Sequence, residues 1–120
     1  MAPATPDDLN AIATLLNASA LPLDGLREHV GAALVARQDG AVVGSAALEL
    51  YGGAALLRSV AVAPALRGQG LGQQLVRAAL RLARERGAGE VYLLTETAAP
   101  WFERLGFAPI ARDAVAPAVQ

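Results

Sequence analysis

Apolar and polar positions along the 120-residue chain fall into runs of period two and runs of period three to four, which predicts strands interleaved with helices. Residues 2–5 read as a short first strand. Thr5-Pro6-Asp7-Asp8 then has the form of a helix start, with Thr5 as N-cap, Pro6 at the first helical position and acids in the first turn. Leu9, Ile12, Ala13, Leu15 and Leu16 supply the apolar stripe of that helix. Leu21-Pro22-Leu23 is expected to break it, and Asp24 to cap a second short helix over 24–30. Residues 34–38 and 41–50 read as strands joined by Asp39-Gly40, and Gly52-Gly53 makes a second tight turn into a strand over 54–62. A helix over 70–86 presents Leu71, Leu75, Ala79 and Leu82 to a core and carries Gln73, Arg77, Arg81 and Arg84 near its other side, before Gly87 ends it. Residues 90–94 form the next strand, parallel to 54–62 by the usual crossover. Pro100 opens a short helix bearing Trp101, Phe102 and Leu105, and Gly106 turns the chain into a strand over 107–110. Trp101 and Phe102 read as core.

Composition narrows the pattern to one folded domain over 1–120, with an alanine- and proline-rich tail over 113–120 expected to be poorly ordered. The hydrophobic fraction of 54% is inflated by alanine, and no apolar run approaches the length of a bilayer span. The N-terminus lacks the basic-then-apolar order of a secretion signal. Without cysteine there are no disulfides, thiolate metal sites or cysteine nucleophile, and a single histidine, His29, excludes a histidine-rich metal site. His29 reads as a surface or helix-end residue rather than a catalytic base. A net charge of −1 argues against nucleic acid as partner. The expectation is a small cytoplasmic domain with neither metal, nucleic acid nor membrane.

The chemistry concentrates between residues 56 and 87. A buried strand ending in Val60-Ala61-Val62 feeds Ala63-Pro64-Ala65-Leu66, then the glycine-rich turn Arg67-Gly68-Gln69-Gly70-Leu71-Gly72, then the long helix. Glycines let the backbone approach a ligand without Cβ atoms in the way, and the first N–H groups of a helix lack internal partners and carry its positive dipole end. The stretch reads as a pyrophosphate cradle. A Walker loop requires a lysine, and all ten basic residues here are arginines. The dinucleotide fingerprint fits poorly, because the spacing is Gly68-x-Gly70-x-Gly72 in mid-chain.

Arg67, Gly70 and Gly72, preceded by Val60-Ala61-Val62-x-Pro64, resemble the acetyl-coenzyme-A loop of the GCN5-related N-acetyltransferase (GNAT) superfamily. Glu103-Arg104-Leu105-Gly106-Phe107 resembles the late helix-to-strand corner of the same superfamily, and the likeness covers roughly residues 2 to 110. It implies an α/β fold: a mixed, mostly antiparallel sheet, helices on both faces, and a splay between the two central strands. Acetyl-CoA is then the co-substrate, held by Val60, Ala61, Val62, Arg67, Gly68, Gln69, Gly70, Leu71, Gly72 and Gln73. The pantetheine arm lies along the backbone of Val60 to Val62, where an N–H stabilises the carbonyl oxygen. The acceptor is a primary amine attacking directly in a ternary complex. The run from Gly44 to Val62, with Tyr51-Gly52 and Leu56-Leu57-Arg58-Ser59-Val60-Ala61-Val62, followed by Tyr92-Leu93-Leu94-Thr95 and Trp101 to Phe107, looks like the small arsenic-resistance-linked and phosphinothricin-type acetyltransferases, which suggests an amino acid or glutamate analogue.

A two-residue loop at Gly52-Gly53 pairs Tyr51 with Ala54, Glu49 with Leu56 and Ala47 with Arg58, making Glu49 and Arg58 diagonal neighbours about 7–8 Å apart at the backbone. They read either as a structural ion pair at the sheet edge or as a grip on the amino and carboxylate groups of a zwitterionic acceptor. Thr95 and Glu96 stand at the mouth of the expected splay, with Thr95 and Arg58 as substrate contacts and Glu49 and Glu96 as candidate bases. Two positions depart from the superfamily pattern. Phe102 stands where many members carry a proton-donating tyrosine, and Leu57 where some carry a carboxylate. The chain also lacks β pattern for a final strand after 107–110: either that strand is missing from this chain, a second subunit covers the edge in a homodimer, or the edge stays open. A non-catalytic acyl-CoA-binding module and a protein or peptide N-acetyltransferase are the alternative functions.

Overall fold

The computed structural model describes residues 1–21, 23, 30–93 and 98–108. Its strands are β1 (Ala2–Pro3), β2 (Ala33–Gln38), β3 (Ala41–Tyr51), β4 (Ala54–Val62) and β5 (Glu90–Tyr92), and its α-helices are α1 (Leu9–Ala18), α2 (Leu71–Glu85) and α3 (Ala99–Glu103). The strands lie in the order β1-β2-β3-β4-β5, antiparallel except for the β4–β5 pair. Both predicted hairpins form. Asp39 and Gly40 take φ of 54° and 83°, the conformation of a type I′ turn, and Gly52 takes 67° at the first central position of its turn. The second turn sets the expected register, with Tyr51 opposite Ala54, Glu49 opposite Leu56 and Ala47 opposite Arg58.

Alternation along the strands feeds two cores. Ala36, Ala46, Leu48, Ala55 and Leu57 face α2, where Leu75, Val76, Ala79 and Ala83 are buried. The central line of α2 thus runs through Ala83 rather than Leu82, because successive steps of four from Leu75 stay closest to the sheet. On the opposite face Val35 and Ala61 pack against Ile12, Leu15 and Leu16 of α1. A Cβ on Gly44 would lie 2.7 Å from Leu75 Cδ1, so glycine there lets α2 settle onto β3.

Helix α1 departs from the sequence reading at both ends. Residues Pro6–Asp8 form a 3-10 turn ahead of the α-helix, and the helix stops at Ala18, before Pro22 is reached. Ala20 adopts φ 55° and the Leu21 N–H donates to the Leu16 carbonyl at 2.9 Å, a left-handed cap made without glycine. The second helix over 24–30 falls on residues 24–29, which with His29 lie outside the described residues, as do Thr95, Glu96, residues 109–110 of the last strand and the tail over 113–120. Among the described residues no helix is long and apolar enough to cross a membrane.

Two irregularities of β4 shape the molecule. Ser45 pairs with Ala61 and Ala47 with Arg58, so Ala46 stands opposite both Ser59 and Val60 in a β-bulge, with Ser59 at φ 58°. On its other edge β4 pairs with β5 from Ala54 to Leu56, then runs six residues further to Val62 with no strand beside it among the described residues. This is the expected splay, although β5 is the outermost described strand rather than a central one. The Gly89 N–H donates to the Gly53 carbonyl at 2.8 Å and anchors the closed end of the opening.

Asp8 ties the first turn to the sheet. It accepts the Thr5 N–H at 2.9 Å and the Arg37 guanidinium at 2.6 Å. The Thr5 backbone hydrogen bond, seconded by Arg37, holds its carboxyl below the usual range. A depressed folded-state value means that the stabilisation is complete above the unfolded value of about 4 and is lost as pH falls through the folded one. Asp8→Asn is therefore expected to lower thermal stability at pH 7 and to flatten the acid decline below about pH 4. Thermal unfolding measured across pH checks both.

Candidate functional site

The splay, the glycine loop and the start of α2 converge on one cavity of about 650 Å³. Val60, Ala61 and Val62 form its strand wall; Arg67, Gly68 and Gly70 form the loop; Gly72 and Gln73 belong to the first turn of the helix. These are eight of the ten residues read from the sequence as a cofactor cradle. The other two lie beside it. Gln69 is exposed at the crown of the loop, and Leu71 packs half-buried against the α2 core.

Gly68 and Gly70 take φ of 80° and 85°, which L side chains rarely adopt, and a Cβ on either would point into open space. Gly70 is the N-cap of α2 and offers no side-chain cap; the first helical bond runs from the Gln74 N–H to the Gly70 carbonyl at 3.1 Å. The N–H groups of Leu71, Gly72 and Gln73 thus precede the helical ladder at its positive end. Arg67 folds back over this opening. Its Nε donates to the Val62 carbonyl at 3.3 Å and Nη2 to Ser19 Oγ at 3.0 Å, linking the loop to the end of α1.

The strand wall offers its backbone. Ala63 N–H donates to the Val43 carbonyl at 2.8 Å, toward β3. Alternate residues of an antiparallel strand face opposite edges, so Val62 turns its N–H toward the splay. Val60 shares the phase of Val62, since both side chains pack toward α2 while Ala61 packs toward α1. Trp101 and Phe102 of α3 close the cavity from the other side, so residues expected as core are half-buried and line the site as well. A Cβ on Gly72 would meet Trp101 Cζ2 at 3.3 Å, and the missing side chain thus admits the indole.

Glu49 and Arg58 meet as an ion pair on the α1 face, and the Tyr51 hydroxyl donates to the second Glu49 oxygen at 2.8 Å. They sit on the neighbouring strands β3 and β4, and because β5 borders β4 from Ala54 to Leu56, Arg58 stands at the start of the stretch that has no strand beside it among the described residues. Donation to Glu49, then burial, then the negative charge of Glu49 raise the Tyr51 pKa above its usual 10, so the hydroxyl stays a donor at neutral pH. The pair does not line the 650 Å³ cavity. Arg58 nevertheless stands two residues, about 7 Å of strand, before Val60. Leu57 is buried in the α2 core and Phe102 has no proton to give. Among the described residues no group of three or more His, Cys, Asp or Glu is placed to hold a metal ion. Sequence reasoning missed Ser19, whose contact with Arg67 spans 48 residues and leaves no local signal. It also missed Tyr51 as third member of the polar cluster, although Tyr51 and Glu49 share a face by strand alternation.

The family model for the acetyltransferase (GNAT) domain matches residues 29–109, which include the loop, the splayed strand and α3. The chain belongs to the GNAT acetyltransferase family. A GNAT relative, an uncharacterized N-acetyltransferase of Chlorobaculum tepidum, is 33% identical over 92 residues, 76% of this chain and 59% of that one. Streptothricin acetyltransferase of Streptomyces lavendulae is 45% identical over 56 residues, 43% of this chain and 30% of that protein. The chain thus spans about three-fifths of the first relative and under a third of the second. Among solved structures, Rv2747 of Mycobacterium tuberculosis in complex with CoA and NLQ superposes with a TM-score of 0.84 at 32% identity, covering 98% of this chain and 76% of that one. N-acetylglutamate synthase of Neisseria gonorrhoeae, complexed with coenzyme A and L-arginine, also reaches 0.84 over 94% of this chain and 28% of its own; at 24% identity it speaks to the GNAT fold alone.

The GNAT loop depends on a left-handed Gly70, a conformation that costs a residue with a Cβ about 1–2 kcal/mol. Gly70→Val is expected to weaken CoA binding at least tenfold, as measured by calorimetry. Unchanged affinity would remove the loop from the binding site.

Proposed function

We propose that this GNAT domain transfers an acetyl group from acetyl-CoA to the primary amine of a small molecule that also carries a carboxylate, an amino acid or glutamate analogue. The observation that carries the reading is the junction of an uncapped helix N-terminus with a strand edge turned into one cavity. Bound acetyl-CoA supplies an activated acetyl thioester. The N–H groups of Leu71, Gly72 and Gln73 hold its diphosphate at the positive end of α2, seconded by Arg67. The open edge from Val60 to Val62 holds the pantetheine amides, and an N–H there receives the negative charge that develops on the thioester oxygen. The GNAT domain match and the CoA-bound Mycobacterium tuberculosis structure support this arrangement.

On the acceptor side, Arg58 holds the carboxylate and Glu49 receives the amine. Glu49 accepts hydrogen bonds from Arg58 and Tyr51, and its carboxylate is a negative charge that an ammonium would meet. Glu49 and Glu96 are the carboxylates through which the amine would lose its proton, and Thr95 is the further substrate contact. The likeness to streptothricin acetyltransferase is compatible with a small amine acceptor. The narrower arsenic-resistance-linked subtype rests on strand residues and on the corner from Trp101 to Phe107.

Phe102 and Leu57 favour one second reading, a CoA-binding module without catalysis, because neither provides a proton-transfer group. Thiol release from acetyl-CoA over a panel of amino acids, glutamate analogues, polyamines, aminoglycosides and short peptides separates the two readings. The chain contains no cysteine, so a thiol reagent reports CoA alone. Turnover is expected on carboxylate-bearing amines, with Arg58→Lys raising the acceptor KM about tenfold and leaving the acetyl-CoA KM within twofold. CoA binding with no turnover on any amine would establish the module instead.

A further inference from the structure

Ser45 is the fully buried polar side chain of β3 that neither the cofactor cradle nor the acceptor cluster uses, at 1% exposure. Its hydroxyl donates to the Ser59 carbonyl at 2.8 Å, inside the bulge. The Ser59 carbonyl and the Val60 N–H belong to one planar trans peptide and point in opposite directions. Fixing the carbonyl toward β3 therefore fixes the N–H toward the cavity that Val60 lines.

The bulge takes Ser59 and Val60 out of one-to-one register with β3, where a ladder bond would otherwise set the peptide plane. Ser59 has φ 58°, a region that a non-glycine residue leaves readily unless its neighbours hold it there. A rotation of that peptide would turn the Val60 N–H away from the cavity while leaving the Ala61–Val62 segment paired to Ser45 and Gly44.

From this geometry we infer that Ser45 is a positioning residue: it holds the Ser59–Val60 peptide so that the Val60 N–H is the donor for the thioester oxygen. The inference rests on the acetyl-transfer reading and narrows its donor from a strand segment to one peptide. Ser45 touches neither substrate, so its loss acts on the transition state rather than on binding.

Ser45→Ala is expected to lower kcat by about ten- to a hundredfold, with the KM of acetyl-CoA within twofold. Ser45→Thr, which keeps the hydroxyl, is expected to recover most of that rate. The 15N–1H spectrum supplies a readout that needs no acceptor. The Val60 amide should shift between the CoA and acetyl-CoA complexes of the parent chain, and that difference should collapse in Ser45→Ala. A Ser45→Ala variant with parent kcat, one that loses CoA affinity and kcat together, or one that keeps the Val60 shift overturns the proposal. If the parent turns over no amine, acetyl transfer fails, and the amide measurement still decides what Ser45 holds.

Discussion

A strand that is hydrogen-bonded along one edge and released along the other must find partners for its outward N–H and C=O groups. Among the described residues β4 is such a strand: it follows β3 from Ala54 to Val62 but has β5 beside it only through Leu56. A buried backbone group without a partner costs about 1–3 kcal/mol, so the segment past Leu56 is tolerable where it opens onto water or a ligand. The 650 Å³ cavity lies along that edge. The rest of the fold keeps it open there: the Gly53–Gly89 bond pins one end of the V, and Trp101 and Phe102 stand across from Val60 and Val62 at the other.

Glycine makes this convergence possible in two different ways. At Gly68 and Gly70 the requirement is conformational, since left-handed φ values turn the chain sharply from the end of β4 into α2. At Gly44 and Gly72 it is spatial, since a methyl group on either would collide with Leu75 or crowd Trp101. The second pair draws the helix down onto the sheet and α3 onto the helix. The helix N-terminus and the open strand edge consequently face one volume, which neither feature could create alone.

Much of this was legible in the chain. Asp39-Gly40 and Gly52-Gly53 set both hairpins and hence the pairing of Glu49 and Arg58, because a two-residue turn leaves one register to its strands. The glycine loop announced the helix start for the same local reason. The bulge was harder to read, since no glycine marks Ser59, yet Leu57-Arg58-Ser59-Val60 carries two polar residues where strict alternation allows one. That slip of phase is the trace of the extra residue. The left-handed cap at Ala20 and the Arg67–Ser19 contact left no trace, since alanine does not favour such a cap and the contact depends on how α1 lies across the sheet.

The chemistry left to a site with Phe102 and Leu57 can be weighed by magnitude. A positioned general acid or base contributes about 10²–10⁴ in rate. Holding two reactants in an attack geometry contributes effective molarities of about 10⁵–10⁸ M, and one fixed oxyanion donor a further factor of about 10²–10³. The described structure invests in the last two. In the proposed reaction a strand edge and a helix N-terminus would hold one substrate, and the Glu49–Arg58–Tyr51 cluster stands on the adjoining stretch of β3 and β4. Thiolate departure does not require protonation by the protein when the leaving group is itself stable as an anion. A family member without the tyrosine would therefore lose the acid–base factor and keep the larger one, which comes from holding the two reactants in an attack geometry.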